Sequence, residues 1–361
     1  ELEELGYYNN TYLNQGLNVY TSFNQDYQKV VEKSASEYTK DSKVETSSIV
    51  VEPYTSKILA IIGGKDYASS QFNRATQANR QIGSTIKPLL YYLALENGFT
   101  PATTFLCEPT TFKLDDNSTY SPSNFNDKYA YKDVTLAQAI AVSDNIFAVK
   151  THLFLGTDNL ASLIKKFGIK DVKANASLAL GTLNTNIYNL ANMYNCLASE
   201  GKYNHLYTIE KITNDDGKVL YQHEQEDKQL LEQDSCLELS QLLTSTFNST
   251  FSTYLQATMA SYQLDNINAC KTGSTDVDNL AVAYNPQVLV ASWVGYDDNR
   301  KMETADDKTV AKKTVIDVLN YTNENKDVTW YQPTEDLQQI AINPLTGDFD
   351  ENGTVYWFKK D

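Results

Sequence analysis

The chain has few of the residues from which metal sites and disulfide frameworks are built. Its 361 residues include four cysteines and three histidines. Cys107, Cys196, Cys236 and Cys270 lie far apart and form no C-x-x-C pair, which argues against a zinc site. We predict buried free thiols, with a disulfide as the open alternative. No metal and no cofactor is predicted.

Positive charge and long apolar runs are also scarce. Lys and Arg number 30 against 46 Asp and Glu, for a net charge of −16, which argues against nonspecific binding to nucleic acid or to an anionic membrane surface. No stretch reaches the roughly 18 apolar residues of a membrane span, and the start, ELEELGYYNN, lacks signal-peptide character. With 41% hydrophobic and 21% charged residues, the composition is that of a globular protein with one large core or two domains.

Strand patterns occur near both ends of the chain and helical patterns between them. SSIVVEP (47–53) and KILAIIGG (57–64) are β-branched runs that predict a hairpin, and strands return between 269 and 298. Residues 133–250 are mainly helical in pattern. We therefore expect an α+β fold, with one antiparallel sheet formed from both ends and packed against a mainly α-helical subdomain.

A serine and a lysine are spaced by three residues in RQIGSTIKPLLYY (80–92). Positions i and i+3 share a helix face, so Ser84 and Lys87 are placed as a nucleophile beside its base. Pro88 lacks the amide that would bond the Ser84 carbonyl, so the helix must begin very near Ser84. In that first turn the unpaired amides and the helix dipole favour an anion.

Downstream motifs separate this pair from two other copies of the same spacing. Ser-x-x-Lys also occurs at 162–165 and at 199–202, so the spacing alone is not specific. Ser84, however, is followed by Ser143-Asp144-Asn145, at a predicted break between two helices, and by Lys271-Thr272-Gly273 on a predicted strand. Neither of the other copies has a Ser-x-Asn between itself and the Lys-Thr-Gly. Three motifs in this order, each in a fitting context, form a strong signal.

This set resembles the signature of penicillin-binding proteins and serine β-lactamases. Longer blocks look like the transpeptidase domain of class A, bifunctional penicillin-binding proteins, and GLNVYTSFNQDYQKVVEKS looks like the junction that precedes that domain. The resemblance covers about residues 1–300. Its main blocks are IVVEPYTSKILAIIGGKDY, FNRATQANRQIGSTIKP, VTLAQAIAVSDN, CKTGST and VASWVGYDD.

The resemblance implies a division of the chain. Residues 1–46 would be a linker segment that follows an absent glycosyltransferase domain, 47–325 the penicillin-binding transpeptidase domain, and 326–361 a small C-terminal appendage. A membrane anchor would also precede Glu1 in the full-length protein and hold it on the extracellular face of the bacterial cytoplasmic membrane. Other wall-synthesis proteins are the expected partners.

Residue types suggest four catalytic roles within these motifs. Ser84 would attack a carbonyl, and Lys87, buried within hydrogen-bonding reach of Ser84, would take its proton if burial and the Lys271 cation keep it neutral. Ser143 would relay a proton toward the leaving amine. Asp144 is expected to turn inward and brace its loop.

Substrate binding is assigned to neighbouring groups. The Asn145 amide would hold a peptide backbone, and a terminal carboxylate would meet the hydroxyls of Thr272, Ser274 and Thr275. Gly273 would let the substrate approach the strand closely. The backbone N–H groups of Ser84 and Ser274 would form the oxyanion hole.

The implied activity is a peptidoglycan D,D-transpeptidase. Stem peptides ending in D-Ala-D-Ala would acylate Ser84, and β-lactam antibiotics would trap the same serine. Class A β-lactamases carry a deacylating glutamate after Ser-Asp-Asn, whereas residues 146–199 contain none. Rapid β-lactam hydrolysis is therefore not expected. A D,D-carboxypeptidase and a noncatalytic β-lactam sensor remain the alternatives.

Overall fold

The computed structural model describes residues 1–14, 16–114, 117–226 and 228–360. The α-helices are α1 (Asn10–Leu13), α2 (Gln25–Thr39), α3 (Arg74–Gln77), α4 (Lys87–Glu96), α5 (Leu136–Val142), α6 (Asn145–Leu155), α7 (Thr157–Lys166), α8 (Ile187–Ala198), α9 (Gln233–Leu243) and α10 (Val310–Asn325). The strands are β1 (Leu17–Thr21), β2 (Glu45–Glu52), β3 (Lys57–Ile62), β4 (Arg80–Gln81), β5 (Thr104–Cys107), β6 (Phe112–Lys113), β7 (Thr119–Tyr120), β8 (Lys132–Thr135), β9 (Asn184–Thr185), β10 (Lys202–Tyr203), β11 (Ile209–Asn214), β12 (Val219–Gln222), β13 (Lys228–Gln229), β14 (Ala269–Ser274), β15 (Asp278–Asn285), β16 (Val288–Gly295), β17 (Leu337–Ile342) and β18 (Thr354–Lys359).

The central sheet is built from both ends of the domain, which confirms the predicted fold class. Its five strands run in the order β14-β15-β16-β2-β3, and all neighbours are antiparallel. The predicted hairpin supplies β2 and β3, and β16 joins it to the late strands, with Ala291 opposite Ile49. Strand β14 is left at an edge, where it faces the 3₁₀ turn Gly83–Ile86 of the helical subdomain, called the nucleophile turn because it bears Ser84.

Alternating side chains bury both faces of this sheet. Ile49 and Trp293 pack into the helical subdomain, while Val50 and Val290 pack under α2 and α10 on the opposite face. Strand β16 is buried at every position, as its sequence VLVASWVG suggests for a strand covered on both faces. Helix α10 was not among the predicted elements.

Helix α4 lies in the middle of the helical subdomain. Its sequence KPLLYYLALE is apolar around most of its circumference, as expected of a helix enclosed by others, and it packs on α6, α7 and α9. A 3₁₀ turn, Gly83–Ile86, precedes it, and Pro88 occupies its first turn, where a missing N–H costs nothing. The prediction that the helix begins near Ser84 is confirmed.

The segment from 133 to 250 is mainly helical, as expected, but it also contains a strand pair that was not predicted. Strands β11 and β12 lie within it and pair with β1 in a three-stranded sheet. A turn signal, Asp215-Asp216-Gly217, separates the two strands in sequence, and Gly217 takes the left-handed φ of +78°. This signal was overlooked.

The C-terminal residues, the cysteines and the apolar character of the helices complete the description of the fold. Strands β17 and β18 form a C-terminal hairpin that packs on α9. All four cysteines are buried free thiols, as predicted. Within the described ranges, no helix combines the length and the apolar character that a membrane crossing requires.

Candidate active site

The three predicted motifs meet at one place. Ser84 lies in the 3₁₀ turn before α4, Ser143 at the end of α5, and Lys271 on the edge strand β14. The Lys271 Nζ donates a hydrogen bond to Ser143 Oγ at 2.8 Å. The Lys87 Nζ, one turn into the nucleophile's helix, lies 3.4 Å from the same oxygen. Ser143 therefore connects the two lysines.

Three glycines let the backbone segments close around the nucleophile turn. Gly83 has a φ of +51°, and a Cβ added there would lie 2.7 Å from the Ser274 carbonyl oxygen. A Cβ on Gly181 would collide with the Gly83 carbonyl, and one on Gly273 would lie 2.6 Å from the Ile82 carbonyl oxygen. Contacts under 3.0 Å exclude a side chain, so the turn is clamped between two other segments.

The reason given for Gly273 from the sequence is therefore wrong. The side of Gly273 on which other residues carry a Cβ faces Ile82 and Thr85 at the nucleophile turn, whereas we expected it to face the substrate. The glycine is needed for close approach, as predicted, but the approaching group belongs to the protein. A further contact fixes the turn: the buried Tyr194 hydroxyl donates to the Thr85 carbonyl at 2.6 Å.

Lys87 is fully buried, as predicted, but the predicted hydrogen bond to Ser84 is not found among the described residues. The Lys87 Nζ instead donates to the carbonyl oxygens of Ser143 (2.8 Å) and Asp144 (3.1 Å) and to Asn145 Oδ1 (2.7 Å). These three acceptors match the three hydrogens of an ammonium. The half-buried Ser84 hydroxyl is left for a ligand.

Burial acts on both lysines in the same direction. Removal from water lowers the pKa of Lys87 to about 7, opposed by the Asp144 carboxylate. Burial, followed by repulsion from Lys87, holds the pKa of Lys271 well below its ordinary value. We expected burial and a charged Lys271 to keep Lys87 neutral; burial acts as expected, but Lys271 is itself shifted toward its neutral form and is a weaker cation than expected. Two ammonium groups around one serine oxygen repel each other, so the pair titrates as a unit.

The backbone at Ser143 takes the left-handed conformation, with φ 59° and ψ 45°. Asp144 follows it and caps α6 by accepting the Phe147 N–H at 2.7 Å. A non-glycine residue in this region is uncommon and is typical of functional sites. The break between α5 and α6, predicted from Ser-Asp-Asn, is thus one left-handed residue and one cap.

Asp144 turns inward, as predicted, and is fully buried. Its Oδ2 accepts hydrogen bonds from Cys107 Sγ (2.9 Å), Asn124 Nδ2 (2.7 Å) and the Tyr254 hydroxyl (2.7 Å). Sequence analysis missed these three supporting residues, because each comes from a different region and none belongs to a recognisable motif.

Asn145 is held on three sides. Its backbone N–H donates to Asn124 Oδ1 at 2.7 Å, its Nδ2 donates to the Ser123 carbonyl at 2.7 Å, and its Oδ1 accepts from Lys87. An amide nitrogen has two hydrogens, so one remains to bind a substrate carbonyl. The site therefore keeps the donor that the predicted role requires.

The predicted carboxylate ligands at the end of β14 differ in their exposure and in their hydrogen bonds. Thr272 is nearly buried and Ser274 is exposed. The Thr275 hydroxyl accepts hydrogen bonds from the N–H groups of Val277 (3.2 Å) and Asp278 (2.9 Å) and lies 3.3 Å from Asp278 Oδ2, to which it donates. Its single hydrogen is directed into the protein, so the structure gives Thr275 a bracing contact in place of the predicted ligand role.

The Ser274 N–H has the orientation that an oxyanion hole needs. Thr275 donates its N–H to the Asp278 carbonyl across the β14–β15 hairpin at 2.9 Å. Successive N–H groups of a strand point to opposite edges, so the Ser274 N–H points outward toward the nucleophile turn. A Cβ on Gly83 would lie 3.1 Å from that nitrogen.

Comparison with known proteins gives a consistent result. The family model described as penicillin binding protein transpeptidase domain matches residues 46–311. Penicillin-binding protein 2D of Bacillus subtilis is 38% identical over 337 residues, which cover 92% of this chain and 49% of that protein. The chain thus spans about half the length of this relative.

Two solved structures support the fold. Penicillin-binding protein 1A of Haemophilus influenzae superposes with a TM-score of 0.78 at 23% identity, covering 88% of this chain and 53% of the other. The PonA1 protein of Mycobacterium tuberculosis in complex with penicillin V also gives 0.78, at 21% identity, covering 92% and 93%. The geometry of the three motifs, the family match and the relative at 38% identity agree: this chain belongs to the penicillin-binding protein transpeptidase family.

Proposed function

We propose that the chain is a serine-type D,D-transpeptidase that cross-links peptidoglycan stem peptides ending in D-Ala-D-Ala. The observation that carries this proposal is the position of Ser143 Oγ between two fully buried lysines, next to the turn that bears Ser84. Such an arrangement can take a proton from one group and return it to another without bulk water.

In the acylation step, Ser84 Oγ attacks the carbonyl carbon of the penultimate D-Ala. The Oγ–C bond forms while the hydroxyl proton moves to neutral Lys87. Neutral Lys87 has two hydrogens, so it releases one of its three oxygen contacts and turns its lone pair toward Ser84. The C–N bond then breaks, and the terminal D-Ala amine receives a proton from Lys87 through Ser143 Oγ.

The negative charges of the reacting substrate would be bound by groups on the nucleophile turn and on β14, which pack closely together. The backbone N–H groups of Ser84 and Ser274 would bind the oxyanion, and losing one such donor costs about 10²–10³ in rate. The hydroxyls of Thr272 and Ser274, beside Lys271, would bind the terminal carboxylate. The free hydrogen of the Asn145 amide would hold the peptide backbone.

The acyl group is then transferred to an amine. An amino group of a neighbouring stem peptide attacks the ester carbonyl, its proton returns through Ser143 and Lys87, and Ser84 is regenerated. The absence of glutamate from residues 146–199 supports slow attack by water. β-Lactams would therefore leave a long-lived adduct on Ser84. The PonA1 protein, which has a similar fold, has been solved in complex with penicillin V.

Two measurements test this proposal. Intact mass after addition of penicillin should show one stable adduct on Ser84; rapid return to the free mass would indicate a β-lactamase. With a D-Ala-D-Ala peptide, an added acceptor amine should yield an amide product. Hydrolysis alone, whatever the acceptor concentration, would indicate a carboxypeptidase, and release of no more than one equivalent of D-Ala would indicate a sensor.

The substrate also implies a place of action. We infer that the chain works on the extracellular face of the bacterial cytoplasmic membrane, held there by an anchor and accompanied by other wall-synthesis proteins. Protease added to intact spheroplasts should cleave the full-length protein; complete protection would contradict the inference.

A further inference from the structure

An ion pair joins the segment before the nucleophile to the start of strand β15, directly after the turn that follows β14. Arg80, four residues ahead of Ser84, donates to Asp278 Oδ1 from Nε at 2.8 Å and from Nη2 at 2.7 Å. Both side chains are largely buried, with 13% and 3% of their surface exposed. Breaking such a pair leaves an uncompensated buried charge, so its geometry is strongly maintained.

Further contacts hold this pair on the sheet. The Trp293 Nε1–H donates to the same Asp278 oxygen at 2.8 Å, and the Arg80 guanidinium lies over the Trp293 ring at 5.2 Å from its centre. Arg80 Nη2 also donates to the Tyr296 carbonyl at 3.0 Å. Gly295 leaves the necessary space, because a Cβ there would lie 2.9 Å from Asp278 Oδ1.

The other oxygen of Asp278 reaches the turn that follows Ser274. Asp278 Oδ2 accepts from the Thr275 hydroxyl, and the same hydroxyl accepts the Asp278 N–H. The turn is therefore tied through Asp278 to Arg80, on the chain segment that ends at Ser84. Ser274 lies directly before this turn, with its hydroxyl exposed and its N–H pointing toward the nucleophile turn.

We propose that Arg80 and Asp278 are positioning residues for carboxylate recognition. The ion pair keeps the hydroxyl and N–H of Ser274 in register with Ser84, so a substrate whose carboxylate binds at β14 presents its carbonyl to the nucleophile. This inference rests on the proposed function. It adds that selectivity for a carboxylate depends on a buried pair outside the three motifs.

The test compares acylation rates for two probes that differ only in that group. Purified wild type and Asp278→Asn are each reacted with a fluorescent penicillin and with the methyl ester of the same penicillin. A displacement of the subsite by a fraction of an ångström should lower the rate with the free carboxylate by about 10- to 100-fold. The rate with the ester should fall much less, so the ratio of the two rates should decrease.

The chain offers a matched control. Arg74 binds Asp297 in a similar two-bond pair, at 2.7 and 2.6 Å, and within the described ranges neither side chain hydrogen-bonds to β14 or its turn. Asp297→Asn should leave the ratio of the two rates unchanged. Thr275→Val, which keeps the ion pair and removes only the hydroxyl, should lower the ratio in the same direction as Asp278→Asn, but less.

The outcomes separate the two proposals. If wild type is labelled on Ser84 but Asp278→Asn and Thr275→Val both keep the wild-type ratio, the positioning role is wrong. The same follows if both rates fall equally, or if Asp297→Asn lowers the ratio as much. If Asp278→Asn does not fold, as its melting temperature would show, Thr275→Val decides. Failure of wild type to be labelled at all would instead contradict the proposed function.

Discussion

Two copies of one sequence pattern, Ser-x-x-Lys at 84–87 and at 199–202, have opposite environments in this fold. At the first, the serine is half-buried and the lysine is fully buried among oxygens. At the second, Ser199 is 1% exposed and accepts the Tyr54 N–H at 2.8 Å, while Lys202 is exposed on β10. A reactive hydroxyl needs access to a ligand and a base kept from water, and only the first copy has both.

The third copy, at 162–165, supports the same reasoning. Ser162 and Lys165 both lie on the exposed side of α7. Among the described residues, nothing at this surface keeps the lysine away from water, and no cleft encloses the serine beside it, so the pair lacks the surroundings that activate a nucleophile. What distinguishes the copies is therefore their surroundings, which residues far away in sequence supply.

The strongest test of this comparison removes each serine in turn. Ser84→Ala should abolish the covalent penicillin adduct completely, because the Ser143 hydroxyl, which also lies beside the lysine pair, is held between the two Nζ atoms as a proton relay. Ser199→Ala and Ser162→Ala should be labelled as wild type is. Intact mass spectrometry with peptide mapping measures all three. An adduct that persists in Ser84→Ala, or that maps to another side chain, would show that the wrong copy has been chosen.

The second test removes each lysine. Lys87→Met fills the buried space without supplying a base, so the acylation rate constant should fall by about 10³-fold. Lys202→Met changes an exposed residue and should leave the rate within twofold or so of wild type. Stopped-flow or gel-based labelling with a fluorescent penicillin measures both rates. Undiminished acylation in Lys87→Met would rule out Lys87 as the base.

The smallest effect concerns pH. Burial lowers the pKa of Lys87 to about 7, and only the neutral amine can take the Ser84 proton. Below that pKa the neutral fraction falls about tenfold for each pH unit, so the acylation rate should rise with pH and level off above about 7. Lys87→Met should lose this rise. A wild-type rate that is flat or decreases over the same range would contradict the assignment.

Much of the site could be predicted from sequence, because the catalytic groups lie in short motifs. Ser84, Ser143 and Lys271 come together as expected, and Pro88 correctly fixes the start of α4. The fold class also follows from where the strand patterns occur. These features depend on local spacing and on periodicity, which a sequence shows directly.

The errors share a physical cause. Three predictions failed: the hydrogen bond between Ser84 and Lys87, the substrate-facing side of Gly273 and the ligand role of the Thr275 hydroxyl. Each depends on which segments, distant in sequence, pack beside the residue. Cys107, Asn124 and Tyr254 around Asp144 were missed for the same reason. Such contacts between remote segments are a property of the closed fold and have no period or spacing in the sequence.

The sheet made from both chain ends has a consequence for how the protein matures. Ser84 is synthesised before the strand that carries Lys271 and Ser274, and that strand pairs with β15, which is made later still and reaches β2 through β16. No incomplete chain therefore contains a working cleft. Covalent labelling by a penicillin should then count only molecules whose folding is finished.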